Sequence, residues 1–244
     1  MRGALTIAML CACGRVGFDA SVITADAPGD AGFCATMTAA TFCRDFDEGQ
    51  AFADWTDVAT NFGTVMLDTS EAHSQPASER VDTLTLASGE SESTYLEQTN
   101  LGVATTATVE LELFVDTPGS QDAVFFQVRT DDGIRAHAFE LVTRAPPGVA
   151  YVEDSDGPTG MSATNYQSYP LVVLATGQWH HIQLTYTAGA SAQLDVFFDG
   201  VNVLSRVPVY TTGGQAAALL GLSYINGPST PWQVHFDDLA VTIR

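Results

Sequence analysis

The chain has 244 residues, a length that suits one large all-β domain or two small domains. Apolar residues make up 45% of it, enough for a substantial core, and 29 acidic residues against 9 basic ones give a net charge of −20. This charge would repel phosphate backbones and therefore excludes nucleic-acid binding. Every basic residue is arginine, so lysine chemistry such as a Schiff base is excluded as well.

Residues 1–13 resemble a bacterial export signal that ends in a lipidation site. The apolar run 4–10 is too short to span a bilayer, which needs about 20 apolar residues. Cys13 follows Ala12, and a small residue directly before the lipidated cysteine is typical of the lipoprotein box. We therefore expect an exported envelope protein that is attached to the membrane only through a lipid at Cys13. The alternative is an ordinary cleaved signal with incidental cysteines.

Residues 14–33 are small, acidic and punctuated by proline and glycine, which predicts a flexible tether. The folded domain would then span residues 34–244. Two cysteines remain, Cys34 and Cys43, and in an oxidising compartment we expect a disulfide between them. The alternative is a pair of reduced thiols.

The body of the chain shows the period of β-strands. Residues 106–116 alternate strictly, which places four apolar side chains on one face, namely Val109, Leu111, Leu113 and Val115. Asp132-Gly133 and Asp199-Gly200 are typical of tight hairpin turns. The pattern predicts roughly twelve to fourteen short strands and no long amphipathic helix. So many strands predict an all-β, antiparallel two-sheet sandwich of the jelly-roll type, because stacked sheets bury one face of each strand.

Four stretches carry a resemblance to a known family. They are a Trp-His start with an alternating strand at 179–186, a strand that ends in Asp-Gly at 194–200, and the sequences FCRDFDEG at 42–49 and FDDLAV at 236–241. In this order they resemble the laminin-G-like, concanavalin A-like lectin and glucanase superfamily. The resemblance implies a concanavalin A-like jelly roll over nearly everything after the tether.

The glucanases of this superfamily carry Glu-x-Asp-x-x-Glu on a strand, and that pattern is not found here. The nearest candidates for catalysis are Glu110 and Glu112, whose spacing on a strand is about 7 Å, within the range for two catalytic carboxylates. The same alternation is typical of any half-exposed strand. We therefore favour a protein without catalytic activity and keep a glycoside hydrolase or a polysaccharide lyase on the same fold as the alternative.

Aromatic side chains in turn-rich segments are the better candidates for ligand binding. Tyr166, Tyr169 and Trp232 lie among polar loop residues, where flat rings stack on sugars. The alternative is that they pack beneath their own loops. We interpret the chain as a binding module for glycans or for an envelope or surface protein, with a structural envelope protein without a small ligand as a further alternative.

The resemblance also implies a structural Ca²⁺ where the first and last strands meet. The residues that match are Asp45, Asp47, Glu48, Asp237 and Asp238. Asp237 has the same parity as Leu239 and Val241, so it is expected to face the core, where a carboxylate requires a cation or several donors. A second acidic stretch, residues 152–160, is expected to be a solvated turn, with Ca²⁺ binding as the alternative.

Overall fold

The structure, a computed structural model, describes residues 32–47, 52–144, 148–210 and 213–244. All of them belong to one unit that spans residues 31–244. Cys13, Glu48 and the tether as far as residue 31 lie outside the described residues, so the predictions made for them stay predictions. Within the described ranges, no helix is long and apolar enough to cross a membrane.

The described residues form one short helix, α1 (Phe33–Thr36), and sixteen strands. The first eight strands are β1 (Phe42–Arg44), β2 (Asp57–Asn61), β3 (Gly63–Asp68), β4 (Ser78–Thr83), β5 (Ser91–Gln98), β6 (Val103–Ala104), β7 (Thr106–Thr117) and β8 (Ala123–Asp131). The other eight are β9 (Arg135–Arg144), β10 (Val149–Pro158), β11 (Asn165–Val173), β12 (Trp179–Thr187), β13 (Gln193–Phe198), β14 (Val201–Pro208), β15 (Gly214–Asn226) and β16 (Gln233–Ile243).

The strands pair into two antiparallel sheets, and the order of the strands in each sheet confirms the predicted sandwich. Sheet I has the order β14-β13-β12-β7-β16-β4-β3, with β1 beside β16. Sheet II has the order β11-β10-β9-β8-β15-β5-β2, with β6 beside β15. The described part of the chain has more strands than the roughly twelve to fourteen predicted, because elements as short as β6 contain too few residues to show alternation.

The core lies between the inner faces of the two sheets. On β7 the side chains of Val109, Leu111 and Leu113 are buried in this core, as the alternation of the sequence predicts. On β9 of the other sheet, Phe139 and Leu141 are buried in the same way. Burial of each such side chain contributes about 1.5–3 kcal/mol. The register of every central strand is therefore fixed by its apolar face.

Both predicted hairpin turns are confirmed. Asp132-Gly133 joins β8 to β9, and Gly133 has a φ of 86°. Asp199-Gly200 joins β13 to β14 with φ values of 50° and 75°. Two successive residues with positive φ are the conformation that matches the twist of a two-residue hairpin.

Asp237 does not face the core, contrary to the prediction from parity. Asp238 has a φ of 50°, and the register of β16 against β7 shifts between Asp237 and Ala240. Asp237 is paired with Glu112 on the outer face of sheet I. Counting alternate residues back from Val241 gives the wrong face for Asp237, because the bulge inserts one residue between Asp237 and Ala240.

The N-terminal end of the described domain is joined to the sandwich by a disulfide. Cys34 of α1 and Cys43 of β1 are bonded, which confirms the predicted bridge. Cys43 is paired with Ala240 of β16, so the bond connects α1 to the last strand through β1. The bond therefore adds a covalent link to the contacts that α1 already makes with β1 and β16.

Two glutamates interrupt the apolar interior. Glu79 is completely buried with neither carboxyl oxygen hydrogen-bonded, and burial raises its pKa well above the ordinary value. Glu92 is 1% exposed, and it accepts a hydrogen bond of 2.7 Å from the Thr94 hydroxyl at one oxygen only. Burial raises the pKa of Glu92 to about 7, and the bond from Thr94 opposes this rise. Both carboxyl groups therefore favour the neutral form.

We predict that loss of the disulfide lowers stability by a moderate amount. The two cysteines are 9 residues apart, and a loop of this size constrains the unfolded chain by about 2.5–3 kcal/mol. In the double variant Cys34→Ser and Cys43→Ser, the melting temperature should fall by roughly 5–10 °C. Calorimetry on the oxidised and variant proteins measures this difference. Coinciding melting curves would show that the bridge contributes nothing to the folded domain.

We also predict a pH dependence of stability from Glu92. Its pKa is about 7 in the folded chain and near 4.5 when it is unperturbed, so the unfolded state loses its proton first as pH rises. The free energy of unfolding should therefore fall by about 3 kcal/mol between pH 4.5 and 7 through this group. Denaturant titrations across this range should show a smaller fall in Glu92→Gln, and the full fall in the control Glu97→Gln. An equal fall in both variants would rule out Glu92 as its source.

Candidate functional site

Three polar side chains lie next to one another at the centre of the outer face of sheet II. Gln127 of β8 is paired with Glu140 of β9, and Glu140 is paired with Glu153 of β10. Residues opposite each other in antiparallel strands have Cβ atoms about 4.5–5.5 Å apart, so the three side chains form one row. We call Gln127, Glu140 and Glu153 the polar row. Their strand neighbours Leu141 and Val152 are in the core, so alternation directs the row outward.

The polar row is held by one amide and one arginine. The Gln127 Nε2 atom donates a hydrogen bond to Oε1 of Glu140. Nη2 of Arg144 donates to Oε1 of Glu153 at 2.8 Å, and the same guanidinium lies 4.4 Å from the centre of the Tyr151 ring. An arginine that both stacks on a ring and pairs with a carboxylate is fixed in orientation. Glu153 therefore has a positioned cationic partner.

A groove of about 400 Å³ is formed above Glu140 and Glu153. Tyr166 of β11 and Tyr224 of β15 line it, and 54% and 50% of their surfaces are exposed. Arg144 also lines the groove, and its Nη2 atom lies 3.3 Å from the Tyr166 hydroxyl oxygen. Exposed aromatic faces beside fixed polar groups are typical of sites that bind ring-shaped polar ligands. The rest of the lining consists of Gln121, Asp122, Ala123, Val124, Val142 and Asn226.

The carboxyl groups of Glu140 and Glu153 differ in electrostatic environment. Burial raises the pKa of Glu140, the nearby Glu153 raises it further, and Arg129 opposes the shift. Glu153 instead forms an ion pair with Arg144, and its hydrogen bond raises the pKa of that arginine. The groove thus contains one carboxyl group that favours its proton and one that has a cation beside it.

The polar row was not predicted from the sequence, because residues 152–160 were expected to form a solvated turn. That expectation is wrong, since most of the stretch belongs to strand β10. Its carboxylates are paired across the sheet, and the pairs are Glu153 with Arg144, Asp154 with His137 and Asp156 with Arg135. The signal that could have found Glu140 is its position as the single charged residue in the apolar run 138–142.

The predicted aromatic candidates do not form one site. Tyr166 lies on the outer face of sheet II in the groove. Tyr169 is paired with Val152, a core residue, and so belongs to the other face of the sheet. The Tyr169 hydroxyl donates a hydrogen bond of 2.6 Å to the carbonyl of Pro208, so this hydroxyl is already bonded within the domain.

Trp232 is a core residue and not an exposed platform. It is 3% exposed, and its ring packs edge to face on Phe125 with a centroid distance of 5.6 Å. A Cβ atom placed on Gly119 would lie 2.2 Å from Nε1 of Trp232, so the indole is tightly enclosed. Of the three predicted aromatic residues, Tyr166 is the one that lines this groove.

The candidate carboxylates Glu110 and Glu112 lie on the outer face of sheet I, on the opposite side of the sandwich from the groove. Glu110 Oε1 accepts a hydrogen bond of 2.9 Å from Gln183. Glu112 Oε1 forms a hydrogen bond of 2.8 Å with Nδ1 of His181 and lies 3.9 Å from Nε2 of His73. Neither residue belongs to the groove.

The predicted metal ligands are only partly brought together. Asp237 accepts hydrogen bonds from the backbone N–H groups of His73, Ser74 and Asp238. Burial, Asp238 and, to a smaller extent, Asp47 raise the pKa of Asp237 to about 8. The side chain of Asp238 instead forms a 2.8 Å contact with His73.

The remaining predicted ligand, Asp45, accepts a hydrogen bond of 3.3 Å from the N–H of Cys34. Among the residues that the structure describes, no group of three or more His, Cys, Asp or Glu side chains has the arrangement of a metal site.

Comparison with known proteins agrees with this architecture. The family model described as the concanavalin A-like lectin/glucanases superfamily matches residues 88–244. No curated protein matches the chain.

Solved structures share the fold at low sequence identity. An endo-β-1,4-glucuronan lyase from the fungus Trichoderma reesei is 14% identical, with a TM-score of 0.68 over 84% of this chain and 96% of that chain. The cellulose induced protein Cip1 is 16% identical, with a TM-score of 0.58 over 82% of this chain and 96% of that chain. A marine PL-14 alginate lyase from Aplysia kurodai is 9% identical, with a TM-score of 0.57 over 84% and 99% of the two chains. These similarities establish the fold alone.

Calcium near Asp237 stays a prediction, because Glu48 lies outside the described residues and the other predicted ligands do not form a metal-binding group. Asp238 and Asp47 both raise the pKa of Asp237 through their negative charge, and Asp238 is also in contact with His73. A hard cation prefers carboxylate oxygens, and it would offset both causes that raise the pKa of Asp237, burial first and the repulsion from neighbouring carboxylates second.

We predict that a chelator destabilises the domain if this ion is bound. At a Ca²⁺ concentration one hundred times its dissociation constant, stabilisation would be about 2.7 kcal/mol, or roughly 5–10 °C in melting temperature. Melting should fall in excess chelator and recover with Ca²⁺. Asp237→Asn should lose this response, and the control Asp195→Asn should keep it. A response absent from wild-type protein, together with elemental analysis that finds no metal, would eliminate the ion.

Proposed function

We propose that this chain, which belongs to the concanavalin A-like lectin/glucanase superfamily, binds a glycan in the groove on the outer face of sheet II. The observation that carries the proposal is the pairing of two exposed aromatic rings with fixed polar groups. Tyr166 and Tyr224 supply the rings, and Glu140, Glu153 and Arg144 line the same groove. Of the other aromatic residues proposed from the sequence, Trp232 is buried, and the Tyr169 hydroxyl is bonded to the Pro208 carbonyl on the other face of the sheet.

Sugar rings require this combination because they present apolar C–H faces and a rim of hydroxyl groups. An aromatic ring covers the C–H face, and carboxylates accept hydrogen bonds from the hydroxyl groups. In the groove, Glu153 is held by Arg144 at 2.8 Å, so its orientation is set before a ligand arrives. Preorganised groups lose little entropy on binding.

We propose a neutral glycan as the ligand class. Three carboxyl groups line the groove, those of Asp122, Glu140 and Glu153, and the one arginine among its lining residues is paired with Glu153. The whole chain has a net charge of −20, which disfavours a polyanion further. Two of the structurally similar proteins are lyases named for the acidic polysaccharides glucuronan and alginate. The charge of this groove favours a ligand that differs from theirs.

We predict that both groove tyrosines contribute to binding. Affinity electrophoresis in gels with xylan, hydroxyethyl cellulose or laminarin should retard the wild-type chain, and alginate or polygalacturonate should not. Tyr166→Ala and Tyr224→Ala should each weaken the retained interaction about 3- to 10-fold, because an aromatic contact contributes about 0.5–1.5 kcal/mol. The control Ile134→Ala, an exposed apolar residue at the β8–β9 hairpin, should bind as the wild type does.

Two results would contradict the proposal. The first is a wild-type chain that migrates freely in every gel. The second is retardation that both tyrosine variants keep in full, which would place the site elsewhere on the domain. Retardation by the acidic polysaccharides alone would overturn the neutral class.

A further inference from the structure

A second pocket, of about 410 Å³, lies beside the groove at one end of the sandwich, and we call it the end pocket. We propose that it holds an uncharged apolar substituent, an aromatic or acyl ester group, that is carried by the glycan in the groove. This inference rests on the proposed function, because the substituent reaches the end pocket only when its glycan lies in the groove. The described residues that line the end pocket are Val115, Pro118, Gly119, Ser120, Thr143, Arg144, Gly148, Leu174, Thr176, Thr230 and Trp232.

The end pocket lies where the space between the two sheets ends. Val115 belongs to β7 of sheet I, and Thr143 belongs to β9 of sheet II. The connections β7–β8, β9–β10, β11–β12 and β15–β16 supply most of the other lining residues. The pocket is therefore bounded by both sheets, whereas the groove lies on the outer face of sheet II alone.

The lining of the end pocket favours an apolar and uncharged group. Val115, Leu174 and Trp232 are buried residues of the core that also line this pocket. Arg144 is the one charged residue among the described lining residues, and it is paired with Glu153. A charged group that entered would lose its hydration without gaining a free partner. The volume exceeds the roughly 150 Å³ of a cavity that holds benzene, so an aromatic ring with a short chain fits.

The end pocket is continuous with the groove at two places. Along the chain, residues 118–120 line the pocket and residues 121–124 line the groove. On β9, Val142 lines the groove, Thr143 lines the pocket, and Arg144 lines both. At both places the two linings meet without an intervening residue.

A ligand that occupies both the groove and the end pocket must have a polar part and an apolar part. The groove offers carboxyl groups and two exposed tyrosine rings, which suit a sugar unit with free hydroxyl groups. The end pocket suits a group that needs no ionic partner. A neutral glycan with an ester-linked aromatic or acyl group has both parts. When one part is bound, the other part binds at a high effective concentration.

The test compares polymers that differ only in their substituents. Xylan, hydroxyethyl cellulose and laminarin are used unsubstituted, lightly acetylated and lightly benzoylated to the same degree, and affinity electrophoresis of the full-length protein measures retardation. The benzoylated form of a polymer that binds should be held about 10- to 100-fold more tightly than its acetylated form, because burial removes the aromatic ring from water.

Two substitutions at the rim assign this gain to the end pocket. Thr176 and Thr230 line the pocket and are exposed. Thr176→Trp narrows the entrance, and Thr230→Glu places a charge beside it. Each should reduce the gain to less than about 3-fold and leave binding of the unsubstituted polymer unchanged, because an excluded ring stays in water. The controls Thr64→Trp and Thr64→Glu, at an exposed position of β3, should keep the full gain.

Methyl benzoate distinguishes a substituent on the glycan from a free apolar molecule. It has the same aromatic ester but no sugar. Added to the gel, it should abolish the gain only at concentrations on the order of millimolar, because it lacks the contacts of the groove. Competition at the same concentration as the benzoylated polymer would make the end pocket a site for free apolar molecules and overturn the inference.

The other outcomes separate failure of this inference from failure of glycan binding. Equal retardation by the acetylated and benzoylated forms overturns this inference and leaves glycan binding intact. A gain that both rim variants keep shows that the substituent binds elsewhere and overturns the assignment to the end pocket. Retardation by benzoylated polymers that Tyr166→Ala and Tyr224→Ala keep in full overturns the joint site. No retardation by any form of any polymer overturns both proposals.

Discussion

The alternation of side chains along β9 and β10 couples the core of the sandwich to the groove on its outside. Leu141 and Val152 are buried between the sheets, so Glu140 and Glu153 must point outward and opposite each other. A slip of one residue would carry both carboxyl groups into the core, which would be strongly destabilising. The burial of apolar side chains that stabilises the core therefore also fixes the positions of these two carboxyl groups in the groove.

This arrangement is one that stability alone would not favour. Like charges directly opposite each other on neighbouring strands are destabilising. Here Arg144 compensates Glu153, and burial beside Gln127 favours the neutral form of Glu140. A repulsion between like charges that specific partners compensate is more typical of functional sites than of structural surfaces.

Features that depend on neighbours along the chain could be predicted from the sequence. The inward face of β7, the hairpin turn at Asp199-Gly200 and the Cys34–Cys43 bridge are of this kind. Features that depend on which strands pair could not be predicted in this way. The bulge that turns Asp237 outward leaves no trace in the parity of nearby residues, and the acidic residues of β10 are typical of a turn until their cross-strand partners are known. Glu140 is visible in the sequence as a single charged residue in an apolar run, but the sequence does not show that Glu153 lies opposite it.

The most direct test of the account is to map where a glycan contacts the domain. Backbone amide resonances of labelled protein can be followed while soluble oligosaccharides from xylan, cellulose or laminarin are added. The account predicts shifts that cluster at Gln127, Glu140, Glu153 and Tyr166, on the outer face of sheet II. Shifts that cluster instead around Glu112 on the outer face of sheet I, or no shifts with any of these oligosaccharides, would contradict it.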